Sequence, residues 1–218
     1  MRMRQEAIAL VLILLVAGVV LAKDKAPFWN YPLTDELVEA AVADGAENRG
    51  TGLHMSDSLS SFGAFDGTGT TGFSVDVYSP YSWIAQQSAW AAKQYRQFDI
   101  AELEGEPMDV LRVYANPDVP RNFLDTVGAT GVEHVVIRST AKKFKVIQPL
   151  EIFGDLEYAQ NAFGAEMAFA SQSATFDMAE VMRISASDKK GEFFVLIIGD
   201  SGEEKKFKVK TKHFKRLP

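Results

Sequence analysis

The stretch that decides the fold runs from residue 190 to residue 210 and reads KGEFFVLIIGDSGEEKKFKVK. The apolar run Glu192–Ile198 predicts a buried strand, and the Gly-Asp-Ser-Gly segment at 199–202 predicts a tight turn. The alternating lysines of Glu203–Lys210 predict a second strand with one polar face. Together these segments predict a β-hairpin near the end of the chain.

Five earlier segments also have the composition of short strands. They are Met108–Ala115, Val132–Ser139, Lys143–Gln148, Ala165–Ala170 and Ala174–Phe176. Turn residues separate several of them, including Ser171–Ser173, and Asp177–Arg183 predicts one or two helical turns. Seven short strands within about 105 residues are the number expected of a β-sandwich. We therefore predict a mainly β fold with a sandwich of about seven strands.

The last two predicted strands resemble those of immunoglobulin-like and fibronectin-III-like modules in bacterial envelope proteins. The likeness consists of a glycine, an apolar strand, a tight turn and a final strand within Asp177–Lys210. The cysteine pair of antibody domains is missing, and Trp29, Trp83 and Trp90 all precede the β region. The resemblance implies an immunoglobulin-like architecture and a role in adhesion or interaction. It implies no activity, because such folds host many functions.

Two helices and a linker are predicted ahead of the β region. Leu33–Asp44 predicts a short helix with Thr34 as its N-cap. Residues 80–97 predict a longer helix, because Ser79 is a good cap and a proline occupies the first helical position. The segment 45–72 is rich in glycine, serine and threonine and has no apolar period, which indicates a flexible linker.

These patterns divide the chain into four regions. They are a signal peptide or anchor at 1–22, a helix and linker at 23–72, a strand with an amphipathic helix at 73–105, and the sandwich at 106–214. We expect the region 73–105 to pack on the sandwich. A hydrophobic fraction of 47% and a charged fraction of 24% are typical of a globular chain that buries a core.

The segment Ala7–Ala22 is apolar and uncharged, and Arg2 and Arg4 precede it. A positive start, an apolar middle and a small final residue are typical of a secretory signal peptide. As a helix the segment would rise about 24 Å, against a hydrocarbon thickness of about 30 Å. A retained anchor is the alternative. We therefore expect an exported protein, periplasmic or extracellular, that contacts the membrane only through residues 7–22 if they are not cleaved.

Three patterns look chemical, and each has a plainer interpretation. Gly67–Gly72 matches G-x-G-x-x-G, but the strand before it and the helix after it that dinucleotide binding requires are not predicted. Gly199–Gly202 resembles the segment around the catalytic serine of chymotrypsin-like proteases, but Glu203 replaces the next glycine and the flanks indicate a hairpin. The histidines, His54, His134 and His213, lack metal-ligand spacing. We therefore expect no catalytic, cofactor-binding or metal-binding residue.

Two groups of residues are candidates for an interaction surface. Trp83 and Trp90 share one face of the predicted helix, which would pack on the protein's own domain or meet a partner. The second group alternates along the last strand and consists of Lys206, Lys208, Lys210 and Lys212. Phe207 and Val209 would face the core. The lysines would form either a solvated face that prevents edge-to-edge aggregation or a contact strip for anionic lipid or acidic polymer.

The function expected from the sequence is a non-catalytic envelope module with a binding or scaffolding role. Its partner would be an envelope protein or polymer of unknown identity. The net charge is −6, and the slight basic excess of the second half is too small to indicate nucleic acid. The alternative is an envelope-associated hydrolase whose site residues are dispersed along the sequence.

Overall fold

The computed structural model describes residues 30–49, 52–56, 73–117, 130–140, 145–160, 166–188, 190–199, 202 and 204–210. Within these residues the protein is mainly β, which confirms the predicted class. The predicted export segment 1–22, most of the glycine-rich segment and Lys212 lie outside them.

Three α-helices and nine strands make up the described part of the chain. The helices are α1 (Asp35–Ala46), α2 (Pro80–Lys93) and α3 (Met178–Ala186), and a 3-10 turn covers Ile100–Leu103. The strands are β1 (Leu53–Ser56), β2 (Phe73–Tyr78), β3 (Val110–Pro117), β4 (Thr130–Ser139), β5 (Val146–Ile147), β6 (Glu151–Gln160), β7 (Glu166–Asp177), β8 (Glu192–Gly199) and β9 (Glu204–Lys210).

The nine strands form one mixed, nearly closed sheet. Its order is β1-β2-β3-β7-β4-β8-β9, with β6 on the other edge of β7 and β5 on β4. The pairs are antiparallel except β4 and β7, which run parallel where Thr130 and Gly131 lie opposite Phe169 and Ala170. A glycine is needed at this crossing, because a Cβ atom on Gly131 would lie 2.7 Å from the Cβ atom of Ala170. After this contact β4 leaves β7 and pairs with β8.

One apolar core lies inside the sheet and contains residues from both ends of the strand order. Phe73, Val75 and Val77 of β2 are fully buried, as alternation along a strand requires. Phe207 and Val209 of β9 belong to the same core, as predicted. Helix α3 covers the core with three buried apolar side chains, Met178, Val181 and Ile184.

A second apolar cluster joins α1 and α2 outside this core. Its buried members are Ala41, Tyr81, Trp83, Ile84, Ala91, Phe98 and Leu103. The two helices approach closely at Gly45, where a Cβ atom would lie 2.1 Å from the carbonyl oxygen of Ala85. Tyr78 of β2 and Tyr114 of β3 pack against the cluster. The helical pair therefore covers the outer face of β2 and β3.

The predicted helix starts are confirmed, and the predicted helix ends are displaced. The Thr34 hydroxyl accepts a hydrogen bond from the Leu37 backbone N–H over 3.3 Å. The Ser79 hydroxyl accepts one from the Ser82 N–H over 3.2 Å, and proline stands at the start of α2. Helix α1 continues through Gly45 to Ala46, and α2 ends at Lys93 rather than at residue 97.

Two predictions about the chain between the helices and strands are wrong, and one strand was not predicted. Leu53–Ser56, placed in the flexible linker, forms β1 and pairs with β2. Ser171–Ser173, predicted as a turn, lies inside β7, where the Gln172 side chain donates to the Glu133 carbonyl oxygen over 2.6 Å. Glu151–Gln160, for which no element was predicted, forms β6. In each case pairing with a distant strand decides the local structure.

The immunoglobulin-like sandwich stays a prediction. The described strands belong to one mixed sheet with a parallel contact, whereas immunoglobulin domains consist of two packed antiparallel sheets. Strand β2, which was expected in a region ahead of the sandwich, lies inside the sheet between β1 and β3.

Candidate interaction surfaces

Trp83 is the centre of an aromatic cluster between α2 and the sheet. Its side chain is buried, and its indole N–H donates to a carboxylate oxygen of Glu106 over 2.9 Å. The Tyr114 ring stacks on it at 6.0 Å between centroids, and the Tyr78 ring meets it edge-on at 5.6 Å. These geometries are the favourable ones for aromatic pairs. Trp83 therefore packs on its own domain, as the plainer interpretation of the tryptophan face predicted.

Arg112 lies beneath this cluster on the outer face of β3. Its guanidinium is 4.8 Å from the centre of the Trp83 ring. Nη2 donates to Glu106 over 3.1 Å and to the Pro107 carbonyl oxygen over 2.8 Å. Burial lowers the pKa of Arg112, and the Glu106 carboxylate opposes this effect. The charge is thus retained by one acidic partner and one aromatic face, and it ties the helical layer to the sheet.

Trp90 does not share the environment of Trp83. It is 44% exposed, and its ring meets Trp83 edge-on at 6.2 Å. The predicted tryptophan face is therefore divided between a buried residue that holds α2 on the sheet and an exposed residue at the border of the cluster. Of the pair, only Trp90 offers surface to a partner.

The aromatic cluster should make stability depend on pH in the alkaline range. Burial first, and then Asp76 and Tyr114, raise the pKa of Tyr78 to about 12, whereas a tyrosine in the unfolded chain ionises near about 10. The unfolded chain therefore loses this proton first. The contribution of Tyr78 is fully present below pH 10 and is lost as the pH rises from about 10 to about 12.

Urea unfolding between about pH 9 and 11.5 measures this dependence. Tyr78→Phe should flatten the alkaline fall in the free energy of unfolding relative to the wild type. Tyr95→Phe is the matched control, because Tyr95 is fully exposed and should leave the fall unchanged. Equal curves for wild type and Tyr78→Phe would contradict the half-buried position of the Tyr78 phenol.

The predicted lysine strip is present on β9, as far as the structure describes it. Lys206 and Lys208 are exposed and Lys210 is half-buried, on the face opposite Phe207 and Val209. Lys206 pairs with Glu204 at 2.8 Å, and Lys208 and Lys210 approach Glu192 at 3.4 and 4.0 Å. The hydrogen bond from Lys206 lowers the pKa of Glu204. The strip is thus basic but partly neutralised by its own sheet.

A surface that the sequence did not predict lies where the chain enters β6. Leu150, Ile152 and Phe153 are 61%, 50% and 58% exposed, and Val146 of β5 is 43% exposed. Among the described residues β6 pairs only with β7, so its second edge has no partner strand in that part of the chain. We call this edge, with Leu150, Ile152 and Phe153, the β6 edge. The signal in the sequence is the run Leu-Glu-Ile-Phe at 150–153, which places large apolar residues on both faces of one strand.

An open cleft of about 780 Å³ lies between α1, α2 and the segment that follows α2. Its walls are mainly apolar, and its charged side chains are Glu39, Arg96 and Asp99. Arg96 donates to both carboxylate oxygens of Glu102 over 2.7 Å, and Asp99 accepts from the Ala101 N–H over 3.0 Å. Two of the three charged groups are therefore occupied in holding the 3-10 turn.

Metal binding finds no support in the described residues. His54 contacts Asp76 at 2.7 Å, and His134 lies exposed on β4. No group of three or more histidine, aspartate or glutamate side chains in the described ranges is placed to hold a metal ion. Nor does that part of the chain contain a helix long and apolar enough to cross a membrane.

Comparison with known proteins gives no match to a family model, to a curated protein or to a solved structure.

Proposed function

We propose that the protein is an exported, non-catalytic binding module of the cell envelope, and that it binds a protein that presents an extended strand to the β6 edge. The observation that carries the proposal is the exposure of three apolar side chains at the start of β6, Leu150 just before the strand and Ile152 and Phe153 within it, where the strand has one unpaired edge among the described residues. The export segment supports the location in the envelope, as the sequence predicts.

The physical reason is the cost of such an edge in water. An exposed strand edge with apolar side chains pairs readily with another chain, and natural proteins usually protect it with lysine, proline or a bulge. Strand β6 contains neither lysine nor proline and its pairing with β7 is unbroken, so among these features only the acidic residues at 151, 155 and 157 oppose pairing with another chain. Strand addition satisfies the backbone groups of the edge, and the apolar side chains then provide specificity.

The alternative predicted from the sequence is an envelope-associated hydrolase. It would require a pocket with convergent polar groups. The cleft between α1 and α2 is open, and Arg96 and Asp99 in it already bond to the chain's own 3-10 turn. The observations therefore favour binding over hydrolysis.

Photocrosslinking in intact cells tests the proposal. A benzophenone amino acid replaces Phe153 in one variant. In the control variant it replaces Tyr95, which is fully exposed just after the end of α2. We expect a discrete protein adduct at position 153 that is absent at position 95, and its loss when Ile152→Asp is added. We also expect the recovered protein to begin at Lys23. No adduct at 153, or the same adducts at both positions, would contradict the proposal.

A further inference from the structure

We infer that the strand received by the β6 edge is β9 of a second copy of this chain, so that copies join head to tail through a β6–β9 contact. The inference rests on the proposed function, because it names the partner of the same edge. Its first support is topological. Strand β9 ends the strand order of the sheet and pairs only with β8 among the described residues. Among the described residues β6 and β9 therefore each have one edge without a paired strand, and so does β1 at the other end of the order, which carries no acidic residue and no lysine.

The second support is complementary charge. Strand β6 carries Glu151, Asp155 and Glu157 at odd-numbered positions, with Phe153 between the first two, and contains no basic residue. Glu151 lies opposite Thr175 and position 155 opposite Ser171 in the β6–β7 register, so these positions share one face of the strand. Strand β9 presents its lysines at every second position, also on one face. Opposite charges on neighbouring strands stabilise a pair, and like charges destabilise it.

The third support is the apolar face. In β9 the residues between the lysines are Phe207 and Val209, which are buried in the core. In β6 the even-numbered positions include Ile152, which is half exposed and lies opposite the buried Ala174 of β7. A β6–β9 contact that aligns these faces would place Ile152 beside the face of Phe207 and Val209, and Glu151 beside the lysine face.

The charges of the two strands also disfavour the symmetric contacts, β6 with β6 and β9 with β9. Antiparallel pairing of β6 with β6 brings acidic strands together, and pairing of β9 with β9 brings lysine rows together. The present partner of Lys206 does not prevent the exchange, whereas Lys208 and Lys210 approach the largely buried Glu192 of their own sheet. The Lys206–Glu204 pair is largely exposed, and such surface pairs contribute little to stability. A contact between two different edges is heterologous, so it produces rings or open filaments rather than a simple two-fold dimer.

A charge-exchange experiment tests the inference. Variant A carries Lys206→Glu and Lys208→Glu, so both of its edges are acidic. Variant B carries Glu151→Lys and Glu157→Lys, so both of its edges are basic. The exported protein, purified in the form in which cells hold it, is studied by sedimentation velocity. We expect wild type to self-associate, and A or B alone to associate at least about tenfold more weakly because like charges meet.

Mixing A with B should restore association. The acidic β9 of A can then pair with the basic β6 of B, and the basic β9 of B with the acidic β6 of A. The control variant carries Lys145→Glu and Lys190→Glu, which makes the same change of net charge as variant A at exposed positions outside both strands. It should associate like wild type. Circular dichroism checks that each variant is folded. If variant A is unfolded, a variant with Lys206→Gln and Lys208→Gln takes its place.

Three results would overturn the inference. Wild type that stays monomeric at every concentration, A and B that associate as wild type does, or an A–B mixture that stays apart would each do so. The photocrosslinking at position 153 distinguishes failure of the β6–β9 inference from failure of the proposed binding function. An adduct at position 153 to a different protein leaves the binding role standing with another partner, whereas no adduct removes both.

Discussion

Replacing Phe207 by alanine is expected to lower the free energy of unfolding by about 3–5 kcal/mol, because burial of the ring is lost and a cavity remains. Phe207 is 6% exposed in the core and lies opposite Val195 of β8. It belongs to the last strand of the sheet order, which has one paired neighbour in the described chain. The strand is therefore held mainly by its buried side chains.

Lys206→Ala is the matched control for this substitution. Lys206 is the preceding residue of the same strand, and its side chain is 49% exposed. Its removal should change stability by about 0–1 kcal/mol. Urea unfolding followed by tryptophan fluorescence compares the two variants. A loss below about 1 kcal/mol for Phe207→Ala would contradict the structure, since a core phenylalanine costs more.

Local signals in the sequence predicted the elements that local interactions decide. Ser79 followed by proline fixed the start of α2, because the cap and the first helical turn use neighbouring residues only. The alternation of Phe207 and Val209 with lysines predicted which face of β9 is buried. The mainly β class followed from several such segments.

Elements that depend on distant partners were missed. Strand β1 is four residues long and exists because it pairs with β2. Strand β6 lacks a clean period of two, since Ile152 and Phe153 are adjacent, and it is ordered by pairing with β7 over its whole length. The polar side chain of Gln172 is accommodated inside β7 because it donates a hydrogen bond to a backbone carbonyl oxygen of β4. None of these partners is near in sequence.

Of the candidate surfaces, one was predicted from local sequence and one was not. The lysine strip could be read from one strand, and the structure places Lys206 and Lys208 on its exposed face. The β6 edge could not, because exposure of Phe153 depends on what the rest of the sheet leaves uncovered. The contact of Arg112 with Trp83 joins β3 to α2 and has no signal in either segment alone.

Trp83→Ala should cost about 3–5 kcal/mol, and Trp90→Ala only about 1 kcal/mol, although both are tryptophans on one helix. Trp83 is 7% exposed and Trp90 44%. Loss of Trp83 also removes the donor to Glu106 and uncovers the Arg112 guanidinium, a buried charge that is costly without its neighbours. Thermal and urea unfolding of the two variants provide the comparison.

The double variant Trp83→Ala with Arg112→Met tests whether the two side chains act together. Because they are in contact, the cost of the pair should be smaller than the sum of the single costs, by about 0.5–3 kcal/mol. Additive costs would show that Arg112 is held by Glu106 and the Pro107 carbonyl oxygen alone, and that Trp83 contributes only its burial. If Trp90→Ala were the more damaging single change, the assignment of the buried and the exposed tryptophan would be wrong.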